Sequence, residues 1–133
     1  MTVRGLLPSR RVAALAAATA ALLFVAYPPA SLVLPSFVCL VPFLWWMEDA
    51  VHGGERRVFW PGFWFGVVAN GVVLYWMVVA LWHFTPLSFL GYIASLGVVL
   101  GPLWGALTVG VVRVRRRTEI PLWAVFPLRW TAL

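Results

Sequence analysis

The chain has 133 residues, 63% of them hydrophobic and 11% charged, with a formal net charge of +6. A soluble domain carries about 25% charged residues, so this is a membrane composition. The arginines sit in short clusters between apolar runs, which reads as membrane topology and argues against nucleic-acid binding. There is no lysine, and a single cysteine, Cys39, excludes an intramolecular disulfide and a cysteine metal cluster.

Met1 to Arg11 carries Arg4, Arg10 and Arg11, and Val12 to Met47 is then free of charge. Those 36 residues would make a helix of about 54 Å, against a bilayer core of about 30 Å. Two spans are therefore expected, 12–27 and 32–47, broken by Tyr27-Pro28-Pro29-Ala30-Ser31. Pro42, inside the second, predicts a kink. The first span also has the basic start and apolar run of a signal peptide. No clear cleavage site follows and further spans do, so a retained span is the better reading.

Residues 48–61 form a polar loop with Gly53-Gly54 as its turn. Glu48 and Asp49 are adjacent, which suits a helix end better than a catalytic dyad. His52 in this loop reads as solvated.

The third span, 62–83, has no charged residue. Its 22 residues extend about 33 Å as a helix, enough to cross a bilayer core. Gly62, Gly66 and Asn70 form a row of small or polar residues, and aromatics crowd both ends. Thr85-Pro86 links it to a fourth span, 87–112, which ends at the arginines of 113–117. Gly97, Gly101 and Gly105 recur there every four residues, a spacing that lets another helix approach closely. Both rows are expected at the contact between spans three and four; a homodimer interface is the alternative. Asn70 is expected to hydrogen-bond between helices, or else to meet substrate.

An apolar segment, 122–133, is too short to cross and reads as a truncated fifth span. Nine of the ten arginines fall on one side of this alternating arrangement, which should be cytoplasmic. The fold expected is thus all-α: one polytopic membrane helix bundle, 1–133, with four full spans, a partial fifth and a cytoplasmic N-terminus. Reporters fused after Phe84 and after Arg117 should sit on opposite sides.

No reaction follows from these residues. His83 has no carboxylate or serine nearby in sequence, and Cys39 has no histidine within a turn or two, so it reads as a buried inert thiol. No catalytic, metal-binding or cofactor-binding residue is assigned. The arginines of 113–117 suit anionic headgroups as well as topology. Aromatics at 45–46, 59–65 and 75–84 read mostly as interfacial belts.

Four stretches in order carry a family resemblance: LLFVAYPPASLVLPSF, VPFLWWM, PGFWFGVVANGVVLYWMVVALWHF, and a long arginine-closed span followed by PLWAVFPLRWTAL. Together they resemble the N-terminal membrane region of bacterial apolipoprotein N-acyltransferase. The resemblance implies eight spans around a periplasmic nitrilase-like domain. In that domain a Glu-Lys-Cys triad moves a phospholipid acyl chain, through a thioester, to the N-terminal diacylglyceryl-cysteine of a lipoprotein. It implies an inner-membrane location, with phospholipid, lipoprotein and the remainder of the enzyme as partners. No triad residue can be carried over: there is no lysine, and Cys39 does not match the nucleophile. The chain is expected to be an N-terminal fragment, inactive alone. Tyr75, Trp76 and His83, at the periplasmic end, are the candidate lipid or substrate contacts. A stand-alone helix-packing partner or assembly factor is the alternative. A small transporter subunit would lack an intramembrane charge to couple to.

Overall fold

A computed structural model describes residues 9–26, 33–52, 58–83, 85 and 87–118. The segment 122–133 lies outside them, as do the turns expected at 28–31 and at Gly53-Gly54. Among the described residues the chain is all-helical: α1 Arg10–Ala26, α2 Val33–Val38, α3 Val41–His52, α4 Phe59–Leu81, α5 Ser88–Ala94 and α6 Gly101–Arg117, with a π-helical stretch, Ser95–Leu100, joining α5 to α6.

Two helices are long and apolar enough to cross a membrane, α4 and the continuous Ser88–Arg117 run. With 23 residues, α4 is about 35 Å long. α1 has 17 residues, about 26 Å. The stretch expected as a single span, 32–47, is instead two helices of 6 and 12 residues separated by a turn at Cys39–Leu40. Neither reaches across a core of about 30 Å by itself. Pro42 explains the interruption. It has no N–H to bond the Val38 carbonyl one turn back, and it falls in the first turn of α3, where that N–H would be unpaired anyway. The new helix then runs past Met47 through Glu48 and Asp49 to His52, so these residues are helical and not loop.

The core lies between α3, α4 and α6. Phe43, Met47, Phe65, Leu107 and Val111 are fully buried there. The Phe43 ring centroid is 4.9 Å from that of Phe65 and 5.2 Å from that of Trp104, and Trp46 is 5.8 Å from Phe65. Trp46 and Phe65 are thus core residues and not part of an interfacial belt, whereas Trp45, one position away, is 62% exposed. The 3.6-residue period puts neighbours on different faces.

α4 and α6 run antiparallel with glycine against bulk on both sides. A Cβ on Gly62 would meet Thr108, and one on Gly66 would meet Trp104. A Cβ on Gly101 would meet the Phe63 ring, and one on Gly105 the Phe59 ring at 2.7 Å. Each helix supplies both the gaps and the side chains that fill the partner's gaps, the close backbone approach that membrane helix pairs use.

The π stretch decides which residues above α6 face α4. Its i→i+5 turns are wider than α turns, so each residue advances less around the axis. A continued α-helix would aim Gly97 at α4. The wider turns bring Leu96 there, buried, and leave Gly97 exposed with nothing within 4 Å of its Cβ position. They also keep Tyr92 on the α4 side, where its hydroxyl donates to the Gly71 carbonyl at 2.6 Å.

Candidate functional site

The two ends of the bundle differ in chemistry. At one end the start of α1 meets the ends of α3 and α6. Arg11 pairs with Asp49, and Arg115 Nη2 lies 3.2 Å from Glu48 Oε1. His52 Nε2 is 3.0 Å from the same Glu48 oxygen. Arg116 donates to the Ala50 carbonyl at 2.8 Å, capping the last turn of α3. Arg115, Arg116 and Arg117 lie in the last turn of α6, where cations complement the helix dipole.

The other end carries the candidate contact residues. Tyr75 and Trp76 lie in the last two turns of α4, 39% and 54% exposed. His83 follows α4 in a turn and is exposed, with no hydrogen-bond partner among the described residues. Tyr75 leans on Phe24 of α1, ring centroids 6.4 Å apart. Trp76 points away from the bundle, amid exposed Val79 and Trp82. No described carboxylate lies at this end, since Glu48 and Asp49 are both at the other. Among the described residues the site offers apolar and aromatic contact, and no carboxylate stands beside His83 to orient it as a general base. Among the described residues no group of three His, Cys, Asp or Glu could hold a metal ion.

The remaining residues singled out in the sequence are placed as follows. Gly62, Gly66, Gly101 and Gly105 face bulky partners across the α4–α6 contact, and Gly97 faces open space. Asn70 Nδ2 donates to the Gly66 carbonyl at 2.8 Å, a bond within α4 and not between helices. Cys39 is buried at the turn between α2 and α3.

Tyr92 and Phe24, which tie α5 and α1 to the outer half of α4, were not singled out by sequence. No spacing in the sequence marks Tyr92, because the π turns at Ser95–Leu100 are what keep it on the α4 side.

The model of the apolipoprotein N-acyltransferase N-terminal domain family matches residues 19–133. The chain belongs to that family. No curated protein and no solved structure matches it. The family is an acyltransferase family, and the two helices apolar and long enough to cross a membrane are consistent with a membrane protein.

Proposed function

We propose that this chain is the N-terminal membrane module of an apolipoprotein N-acyltransferase of the bacterial inner membrane. It forms part of the path by which phospholipid and diacylglyceryl lipoprotein reach a catalytic domain supplied outside these 133 residues. The arginine-rich end faces the cytoplasm and the Tyr75–Trp76–His83 end faces the periplasm. In the bilayer, α1 and the α2–α3 pair complete a four-span arrangement with α4 and the Ser88–Arg117 helix. By itself the chain transfers no acyl group. It has no lysine for a Glu-Lys-Cys triad, and its one thiol is buried.

The observation that carries this reading is the family match across 19–133, together with the exposed aromatic end of α4. The experiment supplies the purified chain with phospholipid and a diacylglyceryl-cysteine lipopeptide, with and without a co-expressed nitrilase-like domain. N-acylated product is expected only when both parts are present. The Tyr75→Ala/Trp76→Ala variant should lower its yield. Product from the chain alone would refute the reading.

A further inference from the structure

Leu103, Ala106, Gly110, Arg113 and Arg117 are spaced three, four, three and four residues apart, so they share one face of α6. The opposite face carries Trp104, Leu107, Thr108 and Val111, all buried in the bundle. The shared face looks outward: Leu103 is 41% exposed, Ala106, Arg113 and Arg117 are exposed, and Gly110 is half-buried. An apolar strip with a shallow middle thus ends in two arginines one turn apart.

Charge fixes the occupant. Six described arginines gather at this end (Arg10, Arg11, Arg113, Arg115, Arg116 and Arg117) against two described carboxylates. Both carboxylates are already engaged, Asp49 by Arg11 and Glu48 by Arg115 and His52. Arg113 and Arg117 make no ion pair with a carboxylate among the described residues, which leaves both open to an anion from outside the bundle. Length adds the second half. Leu103 to Arg113 is ten residues, about 15 Å along the axis. That is half of a bilayer core of about 30 Å, the depth of one leaflet.

We propose that the outward face of α6 holds one anionic phospholipid. Its phosphate is paired with Arg113 and Arg117, and an acyl chain lies along Leu103, Ala106 and Gly110. Arg116, which also bonds the Ala50 carbonyl, borders the headgroup. This site is at the end of the bundle opposite Tyr75 and Trp76. It is independent of acyl transfer, and it ties the end of α6 to one leaflet.

The test is native mass spectrometry of the full 133-residue chain released from detergent, titrated with phosphatidylglycerol or phosphatidylcholine. Phosphatidylglycerol should be retained preferentially. Arg113→Gln/Arg117→Gln should weaken that retention by roughly tenfold or more, from the loss of two headgroup-facing charges. Arg4→Gln/Arg10→Gln, the same charge loss outside α6, should leave it within about twofold. Ala106→Phe, which fills the strip and keeps both arginines, should weaken it several-fold, and this arm stands even if the double arginine variant does not fold. The proposal is overturned by unchanged retention in either the arginine or the Ala106 variant, or by an equal loss in Arg4→Gln/Arg10→Gln. It is also overturned if inorganic phosphate at matched concentration displaces the lipid, because the site would then be an anion site without chain contact.

Discussion

Gly66→Ala and Gly97→Ala make the same chemical change in one membrane helix pair and should have opposite effects. At Gly66 the added methyl would lie within 3.0 Å of Trp104 Cβ and Cγ. Trp104 Cβ is fixed by its own backbone, so no rotamer change moves it away, and the ring beyond it packs on Phe43 at 5.2 Å. Carbon atoms in contact settle about 3.5–4.0 Å apart, so α4 and α6 must separate locally by about 1 Å. Overpacking of this kind costs about 1–3 kcal/mol, and the rigid neighbour puts Gly66 at the upper end. Replacing glycine in a helix returns at most about 1 kcal/mol. The net expectation is a loss of about 2 kcal/mol, or about thirtyfold in the folded-to-unfolded ratio. At Gly97 nothing lies within 4 Å, so only the helix gain applies and the change should be neutral or stabilising. Reversible unfolding in mixed micelles, followed by circular dichroism, reads both. Equal shifts in the same direction would refute the reasoning, because the α4–α6 contact would then not distinguish the two positions.

Phe43→Ala should be the most damaging of the core changes, at about 3–5 kcal/mol, because the ring is fully buried and meets aromatics from both α4 and α6; the same unfolding assay measures it. The two acidic residues at the end of α3 should behave differently despite being neighbours. Glu48→Gln removes the half-buried partner of both Arg115 and His52 and should lose about 1–2 kcal/mol that persists in salt. Asp49→Asn breaks an exposed pair with Arg11 and should lose under about 1 kcal/mol, fading at high ionic strength. Unfolding midpoints at low and high salt separate the two. Tyr92→Phe removes the bond to the Gly71 carbonyl and should lose about 0.6–2 kcal/mol, with faster amide exchange in α5 than in α6.

The sequence by itself determined the class of the molecule and the clustering of its charge. Long charge-free runs can satisfy their backbone in lipid only as helices. The clustering of arginine at alternate loops needs no coordinates to be read. The family resemblance was legible for the same reason, in the order of glycine, proline and tryptophan along those runs. The row Gly62–Gly66 was visible as a place for a close neighbour, because only small residues permit that approach.

Tertiary structure decided what periodicity could not. The stretch 32–47 has the composition of one span, yet Pro42 restarts the helix and carries it on to His52. Gly97 belongs to a perfect four-residue repeat, but the π turns at Ser95–Leu100 set Leu96 in its place against α4. Adjacent tryptophans look alike in sequence, whereas Trp46 enters the core and Trp45 faces out. The physical reason is common to all three. An apolar residue in a membrane helix carries no label for lipid or protein, since both surroundings are apolar. Only the side chain that fills a given gap, such as Trp104 against Gly66, assigns a face to one or the other.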